Sequence, residues 1–237
     1  MRQIFFITGT DTGVGKTVLT VLLAQFLREG GVNVAALKPV CSGNRDDARK
    51  LFAALNGAVE VQGPKSKVQS CVLSLDEINP WHFRAPVAPS LAAKLEKKSV
   101  KLSQVVAHAR ALQKRFDVLL VEGAGGLLSP LGENFDSRDL ISALRATPVI
   151  VAANRLGAVN HLLLTLAALP KNLRVKTQIV LMSLPKPDAA ANSNANLLAQ
   201  FFPAGKIFTL PWLGKKISAS GVLKNPPVRR TLRALAR

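Results

Sequence analysis

Gly9-Thr10-Asp11-Thr12-Gly13-Val14-Gly15-Lys16-Thr17 decides the fold of this chain, because the apolar run Ile4-Phe5-Phe6-Ile7 precedes it and a Leu-rich amphipathic segment, residues 18–28, follows. A strand, a glycine loop and a helix in that order make a phosphate cradle. The loop N–H groups and the helix N-terminus converge on polyphosphate oxygens, and a lysine adds mobile positive charge. Lys16 and Thr17 close the loop, the lysine suited to β- and γ-phosphates and the hydroxyl to Mg²⁺. The spacing has one irregularity. Counted back from Gly15, the general pattern puts its first glycine at position 10, which is Thr10 here, and the available glycine is Gly9. The loop carries one extra residue.

Apolar runs suited to buried parallel strands recur at residues 4–7, 32–37, 118–121, 149–153 and 179–182, with a further strand candidate at 206–210. Residues 18–28, 102–116, 139–146 and 161–169 space their apolar side chains three and four apart, as amphipathic helices do. Alternating strand and helix predicts a three-layer α/β fold. Its sheet is mostly parallel and flanked by helices, of the phosphate-loop NTPase type, with right-handed crossovers and ligands at the carboxyl ends of the strands. Residues 57–68 and 185–196 read as loops. One domain is expected over residues 1–237, ending in a basic helix or tail at about 222–237.

The 237 residues are 48% hydrophobic, ample for a core, which excludes a disordered chain. No run of about 18 apolar residues occurs, and the N-terminus lacks the pattern of a secretory signal. A soluble, cytoplasmic protein is the expectation, with no membrane partner. Cys41 and Cys71 are too few for a disulfide framework or a four-ligand metal site, and free thiols are expected. The formal net charge is +18, and residues 140–237 carry +13 of it, with Asp188 as their single acid. Such a field attracts anions in general and names no partner. The basic residues lack the aromatic interleaving of a strand-binding groove, so a nucleic-acid partner is not expected.

Three constellations outside the loop could carry chemistry. Glu122 ends the run Phe116-Asp117-Val118-Leu119-Leu120-Val121 and precedes Gly123-Ala124-Gly125-Gly126. A carboxylate there is costly to bury alone, and beside a phosphate loop it suits Mg²⁺, while the glycines let backbone approach a ligand. Lys38-Pro39-Val40-Cys41-Ser42-Gly43 ends the second strand run and sets a lysine and a hydroxyl on the phosphate-loop side of the sheet. The residues alone leave two uses for Lys38 open: stabilising charge on a transferring phosphoryl group or an anionic nucleophile, or lying solvated at a strand end. Asp46 and Asp47 precede a helical pattern, and either could cap it or add a carboxylate for Mg²⁺, with Asp47 the preferred ligand. Leu156-Gly157-Ala158-Val159-Asn160-His161 opens a helix and so makes a second anion-binding N-terminus, in which Asn160 could also serve as a cap. His161 reads as a surface or capping residue, and Cys41 as a small apolar filler.

Taken together, these blocks resemble dethiobiotin synthetase, the family of ATP-dependent carboxylases of biotin biosynthesis, whose own phosphate loop carries the same extra residue. Lys38 to Gly43, Asp47-Ala48, Val121 to Gly126, Leu156-Gly157 with Asn160-His161, and Pro211-Trp212-Leu213 match family blocks in the right order. The resemblance implies a homodimeric cyclo-ligase that joins CO₂ to diaminopelargonate using ATP and Mg²⁺. By motif position, Lys16 and Lys38 would be the catalytic cations. Thr17, Asp47 and Glu122 would hold Mg²⁺. ATP would lie on Gly13, Val14, Gly15, Lys16, Thr17, Glu122, Ser183, Pro211, Trp212 and Leu213. Thr12, Lys38 and Ser42 would bind substrate, with Gly157 and Asn160 supplied by the other subunit for its carboxylate.

The chain departs from the family at Ser183, which stands where the family usually reads adenine with an Asn, implying a relaxed nucleotide preference. It departs again at Ala88-Pro89-Ser90, which lacks a family histidine. The family has no need of a +13 C-terminal half. The rival classes are a partitioning or positioning ATPase that uses the basic half on DNA or membrane, and a cobyrinate amidase domain. The first would carry a lysine where Thr10 stands, and the second a glutaminase domain for which this chain has no room.

Overall fold

The strand β1 (Gln3–Gly9) is buried along Ile4 to Gly9, as a strand covered on both faces by helices requires. The computed structural model describes residues 2–57, 73–214, 221 and 223–237. In chain order the elements are β1, α1 (Lys16–Glu29), β2 (Val34–Leu37), β3 (Val40–Ser42), α2 (Asp46–Asn56), α3 (Leu75–Ile78), β4 (Trp81–Phe83), α4 (Pro89–Leu95), α5 (Leu102–Gln113), β5 (Val118–Glu122), α6 (Ser137–Leu144), β6 (Thr147–Asn154), α7 (Ala158–Ala168), α8 (Lys171–Arg174), β7 (Gln178–Ser183), α9 (Asn194–Leu198), β8 (Ile207–Leu210) and α10 (Pro226–Leu235). Six strands form one sheet in the order β2-β5-β1-β6-β7-β8, every neighbouring pair parallel. The chain leaves β1 toward β2 on one side and reaches β6 on the other. The carboxyl ends of β1 and β5 therefore meet at the topological switch point, the place where an open α/β sheet binds its ligands.

Helices flank this sheet because their apolar stripes need cover. In α1 the buried residues Leu19, Leu22, Leu23 and Leu27 recur at three and four residues, and α1 packs with α2 over β1, β2 and β5. A second pair, α5 and α6, packs on β5 and β1. The basic tail takes the same form. Asn225 caps α10, two prolines start it, and Val228, Leu232 and Leu235 are buried against α1 and the edge strand β8. Arg229 pairs with Glu29 at 2.9 Å and lies over the Phe26 ring. Part of the positive charge is thus spent on docking the C-terminal helix to the helix of the phosphate loop.

Several boundaries differ from the sequence-based expectation for physical reasons. The helix expected at 139–146 starts at Ser137, because Asp136 and Asp139 form a reciprocal capping box. The helix expected at 161–169 starts at Ala158 with Gly157 as its cap, so Asn160 lies inside the first turn and does not cap it. Asp46 and Asp47 likewise lie inside the first turn of α2, whose N-cap is Arg45. Within the expected loop 185–196, Asp188 caps a 3₁₀ turn, Ala189–Asn192, and α9 begins. The expected loop 57–68 falls outside the described residues from position 58 onward, and Cys71 falls outside them too. The small parallel pair β3–β4 and the helix α4 were not anticipated.

Candidate active site

The phosphate loop turns from β1 into α1 through two left-handed glycines, Gly13 (φ 74°) and Gly15 (φ 101°), a conformation other residues adopt only with strain. A Cβ on Gly15 would also approach Met182 of β7 to 3.1 Å. Val14 is buried beneath the loop, against Gly9. Lys16 is 6% exposed, and its Nζ donates to the backbone carbonyl of Asp11 at 2.7 Å, crossing the loop it closes. Burial, and then the charge of Lys38, lower its pKa to about 8.

The second half of the site is a buried charge cluster. Glu122, the last residue of β5, is fully buried. Its Oε1 accepts from Lys38 Nζ at 2.7 Å and from Thr17 Oγ1 at 2.7 Å, while its Oε2 has no partner among the described residues. Lys38 reaches on to Asp47 Oδ2 at 2.9 Å. It is 5% exposed, so the solvated-lysine alternative is overturned. Burial alone would lower the Lys38 pKa, but Glu122 and Asp47 outweigh it and hold the ammonium charged well above its ordinary range. Burial would raise Asp47, and the Lys38 charge and hydrogen bond reverse that, so its carboxyl lies below its usual value.

This oxygen set fits a hard divalent cation. Thr17 Oγ1 bonds Glu122, Lys38 joins Glu122 to Asp47, Glu122 Oε2 is a buried acceptor without a donor among the described residues, and the Asp47 side chain is 42% exposed toward the cleft. Among the described residues no group of three or more His, Cys, Asp or Glu side chains forms a metal site. The set therefore consists of two carboxylates and a hydroxyl, with Lys38 balancing the carboxylates.

A cavity of about 710 Å³ opens over this cluster, with Thr12, Gly13, Gly15, Lys16, Thr17, Lys38, Ser42 and Asp47 in its wall. Cys41 also reaches the wall, and burial raises its thiol pKa. Opposite stand Ala88 and Pro89, from the stretch where the chain departs from the family, together with Pro86, Val87 and Ser129, which no sequence motif pointed to. Ser42 Oγ donates to the Val87 carbonyl across that gap. A larger cavity, about 830 Å³, lies beyond Pro130 between α4 and the start of α6. It holds none of the expected site residues, and two of its basic side chains are paired, Lys98 with Glu96 and Arg138 with Asp136.

The remaining expected residues lie on the same edge of the sheet but outside the 710 Å³ cavity. Ser183 ends β7 opposite Asn154 of β6, and Pro211 to Leu213 follow β8, with Trp212 about half exposed. Gly157 (φ 86°) and the exposed Asn160 start α7. Their loop is held from below. The buried Asn194 donates to Asn154 Oδ1 at 2.9 Å and to the Arg155 carbonyl at 3.1 Å, and Asp188 Oδ2 accepts from Leu156 N at 2.7 Å. Asn194 and Asp188 were missed because their partners are 32 to 40 residues away in sequence.

The parallel sheet, the loop-to-helix cradle and the lysine–carboxylate cluster beneath it define a phosphate-loop NTPase. A model of the AAA domain family matches residues 3–218. A ParA family ATPase from Chlorobium tepidum TLS superposes with a TM-score of 0.59 over 100% of both chains at 14% identity, a likeness of fold alone. The ATP-dependent dethiobiotin synthetase BioD of Anaeromyxobacter sp. (strain K) is 38% identical over 212 residues, covering 87% of this chain and 89% of that protein. The protein of the same name from Bacillus licheniformis is 37% identical over 83% of this chain and 80% of its own. The chain belongs to the ATP-dependent dethiobiotin synthetase family.

Proposed function

We infer that this protein is an ATP-dependent cyclo-ligase that joins CO₂ to 7,8-diaminopelargonate and closes the ureido ring of dethiobiotin, in biotin biosynthesis. Family membership supports the overall reaction. The observation that carries its assignment to this site is Lys38, a buried cation bridging Glu122 and Asp47 beside the phosphate loop.

The chemistry needs positioning and charge stabilisation more than a protein nucleophile. One substrate amine attacks CO₂ and loses a proton, giving a carbamate. A carbamate oxygen then attacks the γ-phosphorus of ATP, the bond to the β–γ bridging oxygen breaks, and ADP leaves. The second amine attacks the carbonyl of the mixed anhydride, phosphate departs and the ring closes, with loss of that amine's proton. Lys16 exchanges the Asp11 carbonyl for phosphate oxygens, and Lys38 neutralises carbamate and phosphoryl oxygens as charge shifts between them. Thr12 and Ser42 orient the amine and carbamate within the cavity. Thr17, Asp47 and Glu122 would hold Mg²⁺, which when bound neutralises phosphate charge. Gly13, Val14 and Gly15 cradle the phosphates. Ser183 and Pro211 to Leu213 flank the nucleoside, where Ser183 offers one hydroxyl and makes base selection permissive.

Gly157 and Asn160 lie outside their own chain's cavity, and Leu156 and Leu164 beside them are 76% and 62% exposed. These facts support a homodimer in which each α7 start binds the substrate carboxylate of the partner's site. Sedimentation velocity would show a monomer throughout the micromolar range if that arrangement is wrong. A cytoplasmic location is part of the same proposal. Among the described residues no helix is long and apolar enough to cross a membrane.

The decisive assay supplies ATP, Mg²⁺, bicarbonate and diaminopelargonate and measures dethiobiotin by mass spectrometry. Product is expected from the wild type and none from Lys16→Ala. A folded wild-type chain that forms no product would sink the assignment.

A further inference from the structure

Asn79 belongs to none of the motifs above, yet it is 1% exposed and every polar atom of its amide is used. Its Nδ2 donates to the backbone carbonyl of Lys38 at 2.6 Å. Its Oδ1 accepts from Cys41 Sγ at 3.2 Å and from Arg45 Nε at 3.0 Å. The same Arg45 donates to the Asn79 carbonyl at 2.7 Å and to the Leu75 carbonyl, and pairs with Asp76. One buried amide therefore ties three segments. The first carries Lys38 at the end of β2. The second is β3, where Cys41 adjoins the cavity residue Ser42. The third is the N-cap of α2, two residues before Asp47. Backbone bonds from Lys38 N to Ile78 and from Trp81 N to Pro39 bracket the amide on either side.

We propose that Asn79 is a positioning residue that holds Lys38, Ser42 and Asp47 in one geometry and so sets the rate of phosphoryl transfer to the carbamate; this rests on the ligase reading above. A buried amide bonded through both its oxygen and its nitrogen is held in place, because rotating it leaves polar groups unpaired in a low-dielectric interior. Lys38 depends on that rigidity. Its backbone lies in a short link between β2 and β3, and its ammonium must meet Glu122, Asp47 and the reacting oxygens at once. The phosphate loop is built from a different segment, so its own hold on the nucleotide phosphates does not run through Asn79.

The test uses the full chain and measures dethiobiotin formation and thermal midpoint for wild type, Asn79→Ala and Asn79→Asp. Asn79→Ala is expected to lower kcat by about tenfold to a hundredfold, as misplacement of a catalytic group by about 1 Å does, while KM for ATP changes by less than about twofold. Asn79→Asp keeps the acceptor for Cys41 and Arg45 but loses the donor on the Lys38 carbonyl. It is expected to melt above Asn79→Ala without recovering kcat. In a Lys38→Gln background, Asn79→Ala should cost less than about threefold further, because two residues acting through one group are not additive. Wild-type kcat in Asn79→Ala overturns the proposal. So does a kcat that rises in step with thermal midpoint across the variants, or a full additive loss in the Lys38→Gln background. Should Asn79→Ala not fold, Asn79→Ser carries the same comparisons. A wild type without product overturns the ligase reading itself, a separate result that the first assay gives.

Discussion

The carboxyl edge of the sheet divides into two regions built on opposite plans. Below the carboxyl ends of β1, β2 and β5, the buried Glu122, Lys38 and, one layer out, Asn79 are joined to the partly buried Asp47 and Thr17 by hydrogen bonds of 2.6 to 2.9 Å. Beyond β6, β7 and β8, the expected binding groups are the half-buried Ser183 at the end of β7 and, on loops or at a helix start, the exposed Gly157, Asn160 and Trp212, with the loop before α7 held by a few polar contacts. The contrast follows from what each must do. Charge that stabilises a transferring phosphoryl group acts strongly only out of water and in a fixed position. In the proposed homodimer the second region completes the partner's site, and such a surface must stay open until the partner arrives.

The sharpest way to break the comparison is to remove the carboxylate at its centre. Glu122→Ala leaves Asp47, which is partly exposed, as the one carboxylate beside the buried Lys38 ammonium and removes the Glu122 oxygen that Thr17 bonds. Breaking a buried pair in this way costs about 3–5 kcal/mol. Turnover should fall by at least about a hundredfold, and chemical denaturation should show the stability loss. Glu122→Gln, which keeps an acceptor, should retain more of the stability while losing turnover, and excess ATP alone should not restore it. A Glu122→Ala chain as stable as wild type would mean that the cluster is not the mechanical centre of its region.

A second probe reads the electrostatics of the same region without mutation. Lys16 is pushed down to about 8 by burial and then by Lys38. A lysine whose folded pKa lies below its unfolded value is protonated more readily in the unfolded chain. Its contribution therefore raises stability as pH climbs from about 8 to about 10.5. Polyphosphate reverses the shift by supplying negative charge, so ATP binding at pH 9 should take up close to one proton, and binding at pH 7 close to none. Calorimetry in two buffers of different ionisation enthalpy measures this directly. No uptake at pH 9 would mean that Lys16 is not the group that meets the phosphates.

The two regions were also unequally legible in the sequence. Gly9 to Thr17 is a local pattern, and the main strands were visible because a strand buried on both faces is an unbroken apolar run. The signal failed where structure depends on distant partners. β3 and β4 are three residues each, too short to show a period, and they exist because Lys38 to Pro39 and Ile78 to Trp81 exchange backbone bonds. Asn79 precedes Pro80 and reads as a turn residue, while its partners lie 34 to 41 positions back. Lys38 was placed correctly on its strand end, but its burial needed Glu122, 84 residues away. The Asn160 cap failed because Gly157, in a left-handed conformation, starts α7 one turn earlier.

The smallest expected effect tests the other region and the meaning of its charge. Residues 140–237 hold a single acid, Asp188, and both of its oxygens are spent on backbone, Oδ2 on Leu156 N and Oδ1 on Ala191 N. In a field of thirteen excess positive charges a carboxylate has many possible cations, and this one serves the loop before α7 instead. Asp188→Ala removes two exposed hydrogen bonds, worth about 1 kcal/mol together once water competes. Global stability should barely move. Amide hydrogen exchange should rise at Leu156 and in the first turn of α7, and KM for diaminopelargonate should increase by about fivefold or less with kcat and KM for ATP unchanged. A rise in KM for ATP instead would place the loop on the nucleotide side and erase the division between the two regions. An unchanged exchange pattern would show that Asn194, from the buried side, holds the loop alone.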